Sequence, residues 1–401
     1  GRELQIVAIN ARDRSRDRSI DLSPYIWVDD MQAMAERGDV DVVLELVGGS
    51  DGPALTLARA ALDAGKGFVT ANKAMIAHHG LALAEQAALR GVPLKFEAAV
   101  AGGIPVVKGL REGAAANRIE RIYGILNGTC NYILSEMERT GADFGDMLRA
   151  AQEKGYAEAD PTFDIEGVDA AHKLAILAGI GFGARVDFDH VAATGIGEVR
   201  AADITQAESL GYVIRLVGIA SLDRSEKRPT LLQRVRPCLV GRGHPLAAVA
   251  GPTNAVVAEG NFVGRLLFQG AGAGAGPTAS AVVADLIDIA RGDSGAPFSV
   301  PVEQLEQLAP ADPGNRIGRD YIRFTVNDRP GVLAEITAAM RDAEVSIESL
   351  IQRGRDHEGG EVLVAMVTHE RPERCVAKAL DLLDGSPSLT APPLVMPILK
   401  D

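Results

Sequence analysis

The chain has 401 residues, which is enough for two or three domains with their own cores. Its net charge of −13 makes non-specific binding of nucleic acid a poor fit. Its apolar runs stay below the roughly 20 residues that a membrane-spanning helix needs, so we expect no membrane partner. Cys130, Cys238 and Cys375 lack any C-x-x-C spacing, which argues against a disulfide framework or a zinc site and predicts a cytoplasmic location.

Residues 1–97 alternate strand and helix patterns, which predicts a parallel α/β sheet of the Rossmann type. We expect strands at 4–10, 40–47, 67–71 and 93–98, and helices at 31–37, 53–64 and 77–90. A Rossmann domain opens with a strand, a G-x-G-x-x-G turn and a helix. Because no such unit precedes Leu4, we assign 4–10 as a second strand and the domain as N-terminally incomplete.

Residues 98–295 form a second predicted domain of mixed α+β type, with β-rich segments from Leu231 to Gln269. The run from Gly270 to Gly276 superficially resembles a dinucleotide fingerprint, but no βαβ unit follows it. We interpret it as a tight loop leading to a helix at about 278–291, which packs back on the first domain and completes it. Residues 296–319 are rich in proline and are predicted to be a linker.

Residues 320–401 start a new unit with the element order βαββαβ, typical of a ferredoxin-like fold. A hairpin turn is predicted at 358–360. The first turn reads Asp328-Arg-Pro-Gly-Val-Leu333, and with this turn the unit resembles the ACT domain, a module that binds small amino acids. The resemblance implies an effector site, with L-threonine as the expected ligand, at Asn327, Asp328, Gly331, Val332 and Leu333.

The stretch from Gly155 to Lys173 combines several carboxylates with a lysine beside an apolar run. A helix predicted from about Val168 to Ala178 places Asp169 and Lys173 on one face. Burial lowers the pKa of a lysine and nearby carboxylates raise it, which suits a proton donor near neutral pH. For the pair alone, a surface salt bridge at a helix start is the alternative.

The complete string, Ala151-x3-Gly-Tyr-Ala-x2-Asp-Pro-x2-Asp-Ile-x-Gly-x-Asp-x3-Lys, resembles the signature of homoserine dehydrogenases. The resemblance covers nearly the whole chain. It implies an NAD(P)-dependent oxidoreductase that interconverts L-aspartate 4-semialdehyde and L-homoserine in threonine, methionine and isoleucine biosynthesis. It implies Lys173 and Lys73 as catalytic residues. The substrate would be bound by Glu158, Asp164, Asp169, Asn127, Gly128 and Thr129.

The cofactor choice depends on Arg12, which follows the predicted strand 4–10. An arginine here would accept the 2′-phosphate of NADP, whereas an acidic residue would hold the ribose of NAD. Asp13 keeps NAD as an alternative, and a solvated loop is the structural alternative. Lys73 follows a predicted strand end, where open α/β sheets bind ligands, although an ordinary helix cap would explain it too. The resemblance implies further cofactor contacts at Gly48, Gly49, Asn72, Lys73 and Gly274.

The segment from Glu97 to Ile104 resembles the family loop that binds a sodium ion through backbone carbonyl groups. The implied ligands are Glu97, Val100, Gly102 and Ile104. The resemblance also implies a homodimer or homotetramer, assembled through the central domain.

Two further interpretations concern what the chain does not do. Three histidines could be considered as metal ligands: His78, His79 and His172. Because no third ligand with suitable spacing accompanies them, we expect them to be exposed or capping residues. The absent phosphate loop leaves one rival function, a catalytically impaired homologue that acts as an amino-acid-binding regulatory protein.

Overall fold

The protein is represented by a computed structural model, which describes residues 2–225, 227–293, 295–353 and 361–400. The hairpin turn predicted at 358–360 lies outside the described residues. Within these ranges, every helix is too short or too polar to cross a bilayer.

The N-terminal region contains two small parallel sheets. In the first, β1 (Ala8–Ile9) pairs with β2 (Ile26–Trp27). In the second, the order is β3 (Val42–Glu45), β4 (Gly67–Thr70) and β5 (Leu94–Lys95). The parallel pairing agrees with the Rossmann-type prediction.

Two predicted N-terminal elements differ from the structure. The strand predicted at 4–10 is reduced to two paired residues, because its first apolar side chains are exposed to solvent instead of packed. The helix predicted at 31–37 is a single 3-10 turn, Met31–Met34, capped by the side chain of Asp30. Strand β2 was not predicted, because a two-residue strand leaves almost no periodic signal.

Two helices, α1 (Pro53–Asp63) and α2 (Lys73–Arg90), cover the second sheet. Helix α2 begins earlier than predicted because Asn72 caps it: the Asn72 side-chain oxygen accepts a hydrogen bond of 3.0 Å from the Met75 amide. The early start places Lys73 in the first turn, directly after strand β4.

The central domain is built on a seven-stranded, mostly antiparallel sheet. The strands are β6 (Ile119–Ile125), β7 (Ala192–Ala193), β8 (Tyr212–Asp223), β9 (Thr230–Gly241), β10 (Thr253–Gly260), β11 (Gly264–Ala271) and β12 (Ala309–Pro310). Their order in the sheet is β11-β10-β6-β8-β9-β12, and β7 pairs with β9 beside β12.

The helices of this domain pack on that sheet and link it to the first domain. They are α3 (Val106–Lys108), α4 (Gly128–Thr140), α5 (Phe144–Glu153), α6 (Thr162–Ile165), α7 (Val168–Phe182), α8 (Ala201–Ser209) and α9 (Ala275–Arg291). Helix α7 is buried along nearly its whole length, because both of its faces carry apolar or small side chains. A polar residue on α7 is therefore desolvated unless it has a partner.

Helix α9 returns to the first domain, as predicted for about 278–291. Its residues Ala281 and Val282 form a small buried cluster with Val69 of β4 and Ala98. Gly274 precedes the helix with a φ of 121°, a conformation that residues other than glycine rarely adopt. The glycine-rich run is thus the end of a strand followed by a tight turn.

The segment predicted as a linker, 296–319, is packed against the central domain. Phe298, Val302 and Leu308 are buried, and β12 pairs in parallel with the start of β9. Because it contributes side chains to the main core, this segment is packed on the central domain and is not an extended linker.

The C-terminal unit has the predicted ferredoxin-like fold. Its four-stranded sheet has the order β15-β16-β14-β18, and two helices cover one face. Its elements are β14 (Asp320–Asn327), α10 (Val332–Asp342), β15 (Ile347–Arg353), β16 (Glu361–Thr368), α11 (Glu373–Asp381) and β18 (Leu389–Pro397). A separate short pair joins β13 (Ile317–Gly318) to β17 (Arg371–Pro372).

The C-terminal unit is docked on the central domain through buried polar contacts. The Tyr321 hydroxyl donates to an oxygen of Asp203 at 2.8 Å, and the Arg323 guanidinium pairs with the other oxygen. Arg323 and Asp203 are both almost fully buried. A second ion pair joins Arg234 of β9 to Glu373 of α11 at 2.8 Å.

Candidate active site

Two lysines meet at one carboxylate near the start of α7. Asp169 accepts a hydrogen bond of 2.7 Å from the ammonium group of Lys173, one turn later on the same helix. The other Asp169 oxygen contacts the ammonium group of Lys73, at the start of α2, at 3.0 Å. One carboxylate therefore connects the first domain to the central domain.

The two lysines differ in exposure. Lys173 is 8% exposed, and its ammonium group also donates to the carbonyl of Leu126 at 2.8 Å. The side chain of Lys73 is 34% exposed and reaches into a cavity. Burial alone would raise the pKa of Asp169, but Lys173 and Lys73 hold it well below its ordinary value. Asp169 is thus an anion between two cations.

A second carboxylate, Asp164 at the end of α6, lies next to this cluster. The side-chain amide of Asn127 donates to Asp164 at 2.7 Å and to Asp169 at 2.9 Å. The Thr129 hydroxyl lies 3.2 Å from the other Asp164 oxygen. Burial, and then the charge of Asp169, raise the pKa of Asp164. Asp164 is only half-buried, so a ligand can reach it.

The remaining predicted substrate residues are placed differently. Gly128 begins α4, and a Cβ atom there would lie 2.8 Å from the carbonyl oxygen of Pro252, so the close approach requires glycine. Glu158 is exposed on the loop after α5, where its backbone carbonyl accepts a hydrogen bond of 3.1 Å from Gln152. The structure does not bring the Glu158 carboxylate into the buried cluster.

A cavity of about 470 Å³ opens beside Lys73. One wall comes from the first domain and includes Gly48, Gly49 and Asn72. The side-chain amide of Asn72 donates to the carbonyl of Gly49 at 2.7 Å, which fixes the glycine turn against α2. Gly48 and Gly49 have φ values of 88° and 87°, so this turn requires residues without a side chain.

Glu45, at the end of β3, supports the glycine turn and was not predicted. Its carboxylate accepts hydrogen bonds from the amides of Val47 and Gly48 at 2.5 and 2.8 Å, and from the Thr70 hydroxyl at 2.5 Å. The sequence does carry a signal for Glu45: it is an acidic residue at the end of an otherwise apolar strand. Ligands bind at the carboxyl ends of parallel strands, so an acidic residue there is a candidate site residue.

The opposite wall of the cavity is aromatic: Phe163, His172, Phe188 and His78. The rings of His172 and Phe188 are stacked, with centroids 4.2 Å apart. The expectation that the three histidines are exposed or capping residues is wrong for His172, which is 3% exposed. Burial lowers its pKa to about 4, because an imidazolium loses hydration there.

Comparison with known proteins identifies the family. A family model described as homoserine dehydrogenase matches residues 105–287, and one for the NAD-binding domain of homoserine dehydrogenase matches residues 1–97. A homoserine dehydrogenase from Synechocystis is 41% identical over 99% of this chain and 92% of its own length. The chain belongs to the homoserine dehydrogenase family.

Solved structures agree with this assignment. The crystal structure of a homoserine dehydrogenase from Thiobacillus denitrificans matches with a TM-score of 0.90 and 39% identity, over 98% of this chain and 90% of that one. A hyperthermophilic archaeal homoserine dehydrogenase in complex with NADPH matches with a TM-score of 0.58 and 27% identity, over 68% of this chain and 78% of that one.

This homoserine dehydrogenase is an oxidoreductase that acts on a CH–OH group with a nicotinamide cofactor. Its substrates are L-homoserine and L-aspartate 4-semialdehyde. The match to homoserine dehydrogenases over nearly the full chain does not favour the rival prediction of an impaired regulatory homologue. An ACT family model matches residues 321–381, which confirms the predicted regulatory module.

The other predicted cofactor residues lie away from the cavity wall. Arg12 is exposed in the loop after β1, where Arg14 and Arg18 approach the ring of Trp27. Gly274 lies at the start of α9, outside the residues that line the cavity. The structure therefore groups Gly48, Gly49, Asn72 and Lys73, and it leaves Arg12 and Gly274 separate.

The loop from Glu97 to Ile104 crosses between the two domains of the dehydrogenase. The Glu97 carboxylate accepts hydrogen bonds from the amides of Val107 and Lys108 at 3.0 and 2.9 Å, so it caps the helix that follows the loop. Burial raises the pKa of Glu97 to about 7, although the hydrogen bonds from these two amides lower it. The Gly102 amide donates to the carbonyl of Gly272 at 3.0 Å. Because the Glu97 side chain is engaged, backbone carbonyl groups are the oxygens that the loop offers to a cation.

The predicted effector residues lie on the loop between β14 and α10. Gly331 has a φ of 97° and precedes the helix, whose first residue is Val332. Asn327 is held by the adjoining segment: its side-chain amide donates to the Pro387 carbonyl at 3.0 Å. Asp328 on this loop and Leu333 in the first turn of α10 are both accessible to solvent. Asn327 thus has a structural contact, while Asp328 is available to a ligand.

Proposed function

We propose that Lys173 and Lys73 are the catalytic lysines of this homoserine dehydrogenase and that Asp169 positions both. One arrangement supports the proposal: each ammonium group contacts a different oxygen of the same buried carboxylate. A nicotinamide cofactor, when bound, exchanges a hydride with C4 of the substrate. Lys173 gives or takes the proton at the substrate oxygen, and Lys73 stabilises the negative charge that develops there.

Substrate recognition is assigned to the neighbouring carboxylate. The α-ammonium group of the substrate needs an acidic partner, and Asp164 is accessible and held by the side-chain amide of Asn127. The raised pKa of Asp164 means that burial and the charge of Asp169 disfavour its ionised form. A cation that binds beside Asp164 is therefore favoured, because the cation stabilises the ionised carboxylate. Glu158, from the exposed loop, is proposed as a second carboxylate for the ammonium group.

We propose NADP as the preferred cofactor, with NAD as an alternative. The Arg12→Ala variant should raise KM for NADPH about tenfold or more, because an arginine–phosphate contact contributes roughly 1.5–3 kcal/mol, while KM for NADH stays unchanged. Steady-state kinetics with both cofactors measures this. Arg149→Ala, which removes an exposed arginine from α5, is the control. An equal rise in KM for NADPH and NADH would contradict the role of Arg12 in binding the 2′-phosphate. A native chain that is inactive with both cofactors would contradict the dehydrogenase activity.

A sodium ion bound by carbonyl oxygens of Glu97, Val100, Gly102 and Ile104 is proposed at the interdomain loop. The fit is supported by the engaged Glu97 carboxylate, because a monovalent cation needs only neutral oxygens. We expect lower activity and a lower melting temperature in tetramethylammonium chloride than in sodium chloride at equal ionic strength. Identical behaviour in the two salts would argue against the site.

L-Threonine is proposed as the effector of the ACT module. We expect L-threonine to inhibit the native chain and Asp328→Ala to require at least about tenfold more threonine, since a lost charged hydrogen bond is worth roughly 1.5–3 kcal/mol. The uninhibited kcat should not change. Asp384→Ala, another exposed carboxylate of the same domain, is the matched control. Superimposable inhibition curves for native and Asp328→Ala chains would rule out this role.

We also propose a homodimer or homotetramer in the cytoplasm. The outer strand β11 of the central sheet has a largely exposed face, and Phe262 beside it is 84% exposed. Cys130, Cys238 and Cys375 are all free thiols, which suits a reducing compartment. Light scattering in solution tests the assembly, and a monomer at micromolar concentration would contradict it.

A further inference from the structure

A pair of histidines joins the two helices that carry the lysines. The Nε2 atoms of His78, on α2, and His172, on α7, are 3.2 Å apart. Helix α2 belongs to the first domain and α7 to the central domain. The contact is therefore a second link between the domains, beside the contact of Lys73 with Asp169.

The two links are close together along both helices. His78 lies five residues after Lys73 on α2, and His172 lies three residues after Asp169 on α7. The spacing of three residues puts Asp169 and His172 on one face of α7. Lys73 and His78 are about 1.4 turns apart, and each contacts α7 from the first two turns of α2. A change in the spacing of the helices at the histidines must also change the approach of Lys73 to Asp169.

The imidazole of His172 has little freedom to move. It is stacked on Phe188 with an interplanar angle of 7°, and the ring of Phe163 is also stacked with it, with centroids 5.5 Å apart and an interplanar angle of 24°. His78 meets Phe188 edge-on, with centroids 4.7 Å apart. His172 is buried and His78 is exposed to the cavity, so the buried ring offers a hydrogen-bonding atom to the more accessible one.

Only one hydrogen atom can lie between the two Nε2 atoms, so one ring donates and the other accepts. The charged groups that face His172 are Lys73 and Asp169, and His79 of α2 is engaged by Asp51 at 2.8 Å. Burial, His78 and Lys73 disfavour an imidazolium at His172, and Asp169 opposes them only partly. His172 is therefore neutral at physiological pH and adds no positive charge of its own beside Lys73.

We propose that His78 and His172 are positioning residues, whose hydrogen bond holds helix α2 against helix α7 and so sets Lys73 against Asp169 for the reaction. The inference rests on the proposed function of the two lysines. It assigns a role to the histidines that requires no contact with the reacting atoms. A displacement of a catalytic group by about 1 Å can lower a rate by about 10²-fold, so a single hydrogen bond between helices can affect turnover.

The test compares substitutions that remove the shared hydrogen bond with substitutions that preserve it. Leucine at either position fills a similar volume without a polar atom, while glutamine places an amide group near the position of Nε2. We expect His78→Leu and His172→Leu to lower kcat by about 10- to 100-fold while the dissociation constant of NADPH stays within about twofold of native. His78→Gln and His172→Gln should recover kcat to within about threefold of native.

The double variant H78L/H172L should be no slower than the slower single variant, because both substitutions remove the same bond. Native kcat in both leucine variants would overturn the proposal. So would losses that multiply in the double variant, or glutamine variants as slow as the leucine ones. If a leucine variant fails to fold, ¹⁵N spectra of histidine-labelled native enzyme decide: one Nε2–H ring hydrogen-bonded to one Nδ1–H ring supports the pair, and two identical tautomers contradict it.

Failure of the histidine pair and failure of the proposed function are distinguishable. If Lys73→Met retains native kcat, the role of the lysines is wrong whatever the histidine variants do. If Lys73→Met is slow and the histidine variants are fast, the positioning role alone is wrong.

Discussion

Replacing Lys173 with alanine is expected to lower kcat by a factor on the order of 10² to 10⁴, with little change in the affinity for the cofactor. The ammonium group of Lys173 is the buried one of the two, and its hydrogen bonds to Asp169 and to the Leu126 carbonyl hold it in one orientation. Steady-state kinetics in both reaction directions, together with a fluorescence titration of NADPH, measures the two quantities.

The control is Lys173→Met, which preserves most of the side-chain volume without the proton. It should be as slow as the alanine variant, because the lost function is proton transfer and not packing. A methionine variant with near-native kcat would show that Lys173 only fills space. Lys73 remains in both variants, so residual charge stabilisation in the cavity is expected to keep some activity above the uncatalysed reaction.

Replacing Arg323 with methionine is expected to lower the free energy of unfolding by about 3–5 kcal/mol, the range for breaking a buried ion pair on one side. The substitution leaves Asp203 buried without its cation, although Tyr321 still donates to it. Urea unfolding followed by circular dichroism measures the change. The single tryptophan, Trp27, lies in the first domain and is a poor reporter for this interface.

The pH dependence of this variant follows from the pKa of Asp203, which burial raises above its ordinary value even with Arg323 present. A carboxyl group whose pKa is raised by folding destabilises the protein above that pKa, and the penalty disappears as the group is protonated. Loss of Arg323 raises the pKa further. The deficit of Arg323→Met should therefore be largest near neutral pH and smaller in acid.

Two comparisons make this result specific. The double variant R323M/D203N removes the uncompensated charge and should regain most of the lost stability. Arg341→Met breaks an exposed ion pair with Asp342 in the same domain and should cost only about 0–1 kcal/mol. Equal losses for Arg341→Met and Arg323→Met would show that burial of the ion pair is not what matters.

The sequence predicted the fold best where local signals are strong. The start of α7 and the order of the ACT module agree with the structure, since both depend on turn residues at fixed positions. Strand β8 (Tyr212–Asp223) was not predicted, because its continuous apolar run fits a buried helix as well as a buried strand.

The site was predictable only in part, for a similar reason. The signature string brought Asp164, Asp169 and Lys173 into the prediction through spacing within one segment. Phe188 carries no such signal, because a lone aromatic residue in a loop has no periodicity, and only the fold places it against His172. Contacts between distant segments are decided by tertiary packing, which a single sequence does not reveal.

The buried contacts of Tyr321 and Arg323 with Asp203 bear on how the threonine inhibition proposed above could be removed by engineering. Deleting the C-terminal module would expose core surface of the central domain and strip Asp203 of its partners, so a truncated enzyme would lose activity for reasons unrelated to the effector. Under the proposed effector site, an enzyme that L-threonine no longer inhibits is better sought among single substitutions in the loop at Asp328, which leave the contacts of Asp203 intact.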